Sequence, residues 1–378
     1  MKKLNWTTTL FFTLTPLLGI LGTLYVVLFH GLHWATLTLA LFYVFATGLS
    51  ITAGYHRLFS HMTYKASAPV RLFYLLFGAA AFEGSVLEWC TDHRNHHRYT
   101  DQEKDPYSVA RTSLWYAHIG WILYLDPSRR DFKNVEDLTK DPLVAWQHKY
   151  YVIIATFMSF ILPMLIAACW GDALGGLFIV GALRVTINHH FTFFINSLCH
   201  YFGKKTYANS TARDNWIMSL VTYGEGFHNF HHQFATDYRN GVRWYHFDPS
   251  KWLIWSLAKL GLAHGLKCVD DELLIKFRLQ MEEQHLREMQ GVCPTRSEEL
   301  LKPIRDRLHI LHVQLIKLRK EYAAAKADKM TAMKTHYKIR LQEYKENILT
   351  CRKDFDAAVQ DWAEAKRRLL HKPPGAMA

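Results

Sequence analysis

Four long apolar runs, separated and followed by polar stretches, organise the chain. Residues 9–29 form a run of membrane-crossing length at 1.5 Å rise per residue, and a turn at His30-Gly31-Leu32-His33 leads into a second run at about 34–54. Two more cover about 152–170 and 173–195, joined by Gly171-Asp172. The stretch 69–87 is also apolar, but Glu83 and Gly84 interrupt it. It is expected to lie in the interface or pack within the protein rather than cross.

Four crossings in two tight hairpins return the N-terminus, the 55–150 segment and everything after residue 200 to one side. Lys2, Lys3 and the many Lys and Arg of the two large polar regions flank that side, while the hairpin turns carry none. The positive-inside rule makes it the cytoplasm. Met1-Lys2-Lys3 followed by an apolar run resembles a signal peptide. No small-residue cleavage site clearly follows and a second apolar run comes at once, so the start is read as a retained anchor.

After about residue 270 the pattern changes. Gly291-Val-Cys-Pro294 has the character of a linker. From Ile304 the apolar positions run Leu308, Leu311, Leu315, Leu318, Tyr322 and Ala325 in alternating steps of three and four. After a phase slip near 329–336 they resume at Tyr337, Leu341, Tyr344, Ile348, Cys351, Phe355, Ala358 and Trp362. This heptad seam predicts an interrupted coiled coil or an antiparallel hairpin. The divisions expected are a membrane domain over 1–270, a linker and short helix over 271–296, and a coiled-coil-like helical region over 297–372.

Half of the 378 residues are hydrophobic, and 45 Lys and Arg against 33 Asp and Glu give a net charge of +12. No nucleic-acid motif of recognised spacing appears. The basic excess is read as a face toward anionic headgroups, an acidic partner or a phosphate-bearing substrate. Six cysteines without a CxxC pair argue against a disulfide framework and for a reducing compartment.

The chemistry lies in histidine. His56-Arg-Leu-Phe-Ser-His61, His93-Arg-Asn-His96-His97 and His228-Asn-Phe-His231-His232 stand far apart in the chain, and His200 lies four residues beyond Asn196. Imidazole is a good ligand for iron, copper and zinc. The eight histidines of the three boxes exceed what one ion can use, which implies two metals beside the membrane. Residues i, i+3 and i+4 share a helical face, so each HxxHH can converge its rings. His56 and His61 are about 140° apart on an ideal α-helix, so the pair either serves two metals or sits where the helix ends. Asn196 shares a face with His200 and could hold a metal-bound water. His189 and His190 suit packing or hydrogen bonding near the fourth span. The topology, drawn without reference to metals, brings all three boxes to one side.

These boxes, with Asn196-Ser-Leu-Cys-His200 and Gly224-Glu-Gly-Phe-His-Asn-Phe-His-His232, resemble those of the membrane fatty-acyl desaturases, most closely the stearoyl-CoA Δ9-desaturase type, over about residues 10–265. The resemblance implies an all-α membrane protein, four spans under a cytoplasmic helical cap that holds two irons, with the C-terminal helical extension outside it. It implies nine ligands, His56, His61, His93, His96, His97, His200, His228, His231 and His232, with Asn196 on an iron-bound water. It implies a cis double bond made in a saturated acyl-CoA with O2 and two electrons. Trp89 and Thr192 match residues of the family's substrate tunnel, and Asp92 matches a CoA contact. This chain departs from the family in having Glu83 at a bend-associated glutamine, Thr91 before Asp92, and Tyr124-Leu125 in place of an Arg-Lys pair that Arg129 and Arg130 could replace. Acyl groups on phospholipid or carrier protein stay open, as does a histidine-box hydroxylase, or a scaffold that recruits partners through its heptads. No nicotinamide or flavin glycine fingerprint appears, nor the haem-anchoring sequence of a fused cytochrome b5. A separate donor of cytochrome b5, ferredoxin or rubredoxin type is therefore expected, an acidic one suiting the basic face. Self-association through the heptads is a further expectation.

Overall fold

The structure, a computed structural model, describes residues 3–124, 130–289, 294–327 and 334–370. It divides into two compact units, Met1–Cys268 and Val269–Ala378.

Among the described residues, four helices of the first unit are long and apolar enough to cross a membrane: α1 (Trp6–Phe29), α2 (Trp34–Ser60), α5 (Tyr151–Ala168) and α6 (Ala173–His200). Between them lie α3 (Ala68–Ala79) and α4 (Val86–Tyr99), and after them α7 (His228–Gln233) and α8 (Pro249–Lys259). The Asn5 side chain caps α1 by accepting from Thr8 N at 3.1 Å. Only 17% of the apolar window of α1 is buried, against 50% in α2 and α6, so α1 lies outermost and the other two carry the interior. α1 packs on α6 through Gly19, where a Cβ would stand 2.8 Å from Leu183 N. Such close approach replaces the hydrophobic drive that helices lack in lipid. At the far turns, Asp172 accepts the Thr36 hydroxyl and Thr36 accepts the Trp170 indole N–H at 2.9 Å, which ties the two hairpins together.

The apolar stretch 69–87 is not one helix: it holds the twelve-residue α3, too short to span, then a turn and the first residues of α4. α2 and α6 outrun the expected ends at 54 and 195, and the extra turns deliver His56 and His200 to the polar side. There Tyr55, Tyr74, Leu75, Leu87, Cys90 and Ile254 form one core among α2, α3, α4 and α8. A two-residue antiparallel ladder, Lys65–Ala66 against Ala263–His264, joins the start of this region to its end.

Among its described residues the second unit has three helices, α9 (Asp271–Glu288), α10 (Pro294–Ala327) and α11 (Lys334–Leu370). Arg307 pairs with Asp361 at 3.1 Å, and Cys351 reaches the carbonyl of Leu311, so α10 and α11 run antiparallel. Of the two arrangements the heptads allow, the chain adopts the hairpin. Leu301, Leu308 and Leu315 bury against Phe355, Ala358 and Trp362, with Leu279 and Leu286 of α9 completing the core. The linker around Gly291 and most of the phase slip near 329–336 fall outside the described residues.

Candidate metal centre

The polar end of α2 is a π-helix over Ser50–Ser60, with His61 at its C-cap. His61 N donates to His56 O at 3.1 Å, an i→i+5 bond, so five residues make about one turn rather than the 140° offset of an α-helix. Both rings therefore enter one group, and His61 sits where the helix ends.

The histidines gather into two groups: His56, His61, His93, His97 and His231 in one, His96, His200, His228 and His232 in the other. Within each group the candidate donor atoms all lie within 4.8 Å of one another. Each HxxHH box is divided between them: α4 sends His93 and His97 to the first and His96 to the second, while α7 sends His231 to the first and His228 and His232 to the second. His97 and His232 stack across the divide, centroids 4.4 Å apart.

The nitrogens that meet are the Nε2 atoms. His56 and His231 approach to 2.9 Å, His61 and His93 to 2.8 Å, His97 and His231 to 3.0 Å. In the second group His200 and His228 approach to 3.0 Å, His228 and His232 to 3.1 Å, His96 and His232 to 3.2 Å. Outside, several of the Nδ1 atoms have protein partners, whereas His228 Nδ1 is buried without one among the described residues. His56 Nδ1 donates to Glu225 Oε2 at 3.0 Å, His96 Nδ1 to Asp105 Oδ1 at 2.8 Å, and His200 Nδ1 lies 2.8 Å from Thr211 Oγ1. At His56 and His96 that partner is a carboxylate, which only accepts, so Nδ1 carries the hydrogen and Nε2 presents a lone pair inward. Burial, reinforced by neighbouring imidazoles, pushes His61, His93, His97, His231 and His232 well below the ordinary histidine pKa. Burial likewise takes His228 to about 3. Neutral rings with converging lone pairs and too few protons to share are what a cation satisfies. Their spacing is close to that of neighbouring ligands about an ion bonded at roughly 2.1 Å to each nitrogen. The donor set fits metal.

A buried ion network fixes the first group. Glu225 also takes Arg57 at 2.9 Å, and Arg57 reaches Asp248 at 3.0 Å and the carbonyl of Tyr238 at 2.9 Å. Asp248 in turn caps α8 through Lys251 N at 2.9 Å. Burial would raise the Glu225 carboxyl, but His56 and Arg57 outweigh it and hold the group down at about 2. Gly224, at φ +97°, makes the turn that aims Glu225 inward. None of Arg57, Asp105, Thr211, Glu225 or Asp248 stood out in the sequence. The available signal was an acid three residues before His228, inside the box itself.

A cavity of about 660 Å³ opens beside the first group, with His93 and Asn196 on its wall. Trp89, Asp92 and Thr192, the expected substrate contacts, all line it, together with Phe11, Phe12 and Phe82. Glu83 accepts from Trp89 Nε1 at 3.2 Å and from Thr192 Oγ1 at 2.8 Å. At the polar end Arg130 is held by Asp92 and by Glu88 at 3.2 Å. Arg129 and Leu125 lie outside the described residues. His189 faces the carbonyl of Phe82 at 3.3 Å and His190 faces His118 at 3.1 Å, both apart from the two groups.

The sequence profile described as Fatty acid desaturase matches residues 32–264, most of the chain and all nine gathered histidines. The chain belongs to the fatty acid desaturase family. It is 44% identical over 288 residues to the "Probable acyl-CoA desaturase" of Schizosaccharomyces pombe, covering 75% of this chain and 59% of that one. To "Acyl-CoA desaturase 1" of Saccharomyces cerevisiae it is 43% identical over 258 residues, 68% of this chain and 50% of the relative. To "Stearoyl-CoA desaturase 5" of Bos taurus it is 37% identical over 246 residues, 63% and 73% respectively. The chain thus spans between half and three-fifths of the length of the two yeast desaturases it matches. With four apolar helices and this family, it is an integral membrane protein.

Proposed function

We propose that this desaturase makes a cis double bond, at Δ9, in a saturated acyl-CoA, consuming O2, two electrons and two protons and releasing two waters. The observation that carries the reading is the meeting of a largely apolar cavity with a wall of converged, neutral imidazoles at His93. The names of the relatives support acyl-CoA as the carrier. We assign two irons to the two groups, with His56, His61, His93, His97 and His231 on one and His96, His200, His228 and His232 on the other. Asn196, on the cavity wall, would hold a metal-bound water. Iron supplies the oxidant that an unactivated C–H bond requires.

The chain's own residues do the rest. An extended acyl chain gains about 0.8 kcal/mol for each methylene the cavity takes from water. Trp89 and Thr192, clamped from two helices onto Glu83, fix the wall that sets which methylene pair stands by His93; an ångström of misplacement is costly. Glu225, Asp105 and Thr211 hold the ring orientations through Nδ1. Asp92 and Arg130 form the polar end where the thioester and headgroup would enter. The basic flanks support a cytoplasmic setting for this face and both termini, with a separate acidic carrier delivering the electrons. The heptad seam is filled within one chain, so any self-association would use the outer faces of the hairpin.

Incubating the purified, iron-loaded protein with stearoyl-CoA, O2 and a reductant should yield an oleoyl product. An alcohol in place of an alkene would make it a hydroxylase, and no product from acyl-CoA, phospholipid or carrier-protein donors would refute the reading.

A further inference from the structure

We infer that a recess beside α7 is the docking site for an acidic one-electron carrier, with His246 and Phe227 as the way in to the second histidine group; this rests on the desaturase reading. The recess holds about 490 Å³ and is lined by Lys204, Tyr207, Trp216, Phe227, Asn240 and His246 among others. Its backbone is stiff, because Asp214 bridges antiparallel to Lys204 on one side and to Phe227 on the other.

The route inward is short. His246 is partly exposed and stacks on Phe227 with centroids 4.4 Å apart and planes 13° from parallel. Phe227 is the residue before His228, whose Nε2 stands 3.0 Å from that of His200. One ring stack and one covalent step thus join the surface to the second group. Electrons would arrive one at a time, each leaving the carrier oxidised by one equivalent, two such arrivals serving each double bond.

The rim states the chemistry of the partner. Lys204 of the lining is exposed, Lys205 follows it in the chain, and Arg243, next to Val242 of the lining, is exposed as well. Against them Asp214 is the carboxylate of the recess, pinned as acceptor of Phe230 N at 3.0 Å. Trp216 and Trp244 are 66% and 86% exposed. Cations around spare aromatic side chains fit a small interface with a negatively charged protein, of the low-area, salt-sensitive kind that electron carriers use. Lysine and tryptophan also suit lipid headgroups. The stack that ends on His228 favours the carrier, since a headgroup has no use for it.

The test uses the full chain, iron-loaded, in nanodiscs of neutral lipid, with ferredoxin and soluble cytochrome b5 as acidic probes. Lys204→Glu with Arg243→Glu should weaken probe binding about tenfold or more at low salt and flatten its salt dependence. Iron content and reduction by a small photoreductant should stay unchanged. Phe227→Leu should keep probe binding and iron but slow reoxidation of the reduced probe. Unchanged binding in the charge-reversed protein, or no binding of either probe to the wild type, overturns the proposal. So does quenching of Trp244 by brominated lipid, which would make this face a membrane contact. If no acyl donor is desaturated, the parent reading fails while the binding arm still reports on the recess.

Discussion

Thr192 donates its hydroxyl to Glu83 at 2.8 Å across the cavity wall, and the Trp89 indole completes the clamp from the other side at 3.2 Å. A carboxyl therefore stands where an acyl chain would lie. Burial pushes it up to about 7, with the two donated hydrogen bonds only partly opposing. Below pH 7 the group is neutral and compatible with an apolar chain; above it the charge must be stripped of water for substrate to enter. The KM for acyl-CoA is expected to rise as pH climbs through 7, and Glu83→Gln to remove that limb. Parallel pH profiles for the two proteins would end the argument.

Glu225→Ala should be among the most damaging changes outside the histidines. It strands Arg57, which is 1% exposed, with Asp248 as its remaining acid. Breaking a buried pair by removing one partner costs about 3–5 kcal/mol, and His56 loses the acceptor that orients its ring. Thermal unfolding should report the first loss and metal analysis the second. Glu225→Gln, which keeps the shape, should recover most of the stability but bind metal less tightly, by roughly 10–100-fold.

The parts of this site that were legible in the sequence are those with a periodic or compositional signature. The four spans read directly from apolar length, and the HxxHH boxes from helical spacing. His56 and His61 did not resolve, because their common face exists only on a π-turn, which no α-helical wheel displays. Glu225 and Asp248 were hidden for a different reason: an isolated acid has no period, and its meaning lies in a partner 168 or 191 residues away. Arg130 was visible as a basic residue, but its capture by Asp92 and Glu88 depends on a tertiary contact. The heptads fixed a seam yet not its partner, since an interrupted seam closes equally well on itself or on a second chain.

Acid should act on the metal-free protein through the same histidines. In the folded state His61, His93, His97, His228, His231 and His232 all sit below the ordinary value of 6.5. A lowered base contributes stability that is fully present above its unfolded pKa and lost as pH falls toward its folded one. The chelated protein should accordingly lose thermal stability as pH drops below about 6.5, and the loaded protein should release metal over the same descent because its donors must be unprotonated. A flat melting temperature between pH 7.5 and 5.5 after chelation would contradict this.

His231 and His189 offer a paired test of assignment. His231 meets both His56 and His97 inside the first group, whereas His189 faces the carbonyl of Phe82 and packs on Phe12 and Phe193. His231→Ala should lose bound metal and detectable turnover. His189→Ala should keep both metals and lose stability alone. Metal content and turnover measured on the same preparations decide the matter, and equal losses in the two variants would reassign His189 to the centre.

Trp362→Ala separates an enzyme with a helical appendage from a scaffold with a disused metal site. Trp362 is 2% exposed in the core of the second unit, whose members on the facing helix include Leu301 and Leu308. Truncating a buried tryptophan costs about 3–5 kcal/mol, enough to loosen a three-helix unit of this size. The histidines and the cavity, by contrast, are all held by residues before Cys268. Circular dichroism of Trp362→Ala should show an early helical transition, while metal content and turnover per folded first unit stay near wild type. If turnover instead falls with the second unit and survives His231→Ala, recruitment through the hairpin is the function and the metal is incidental.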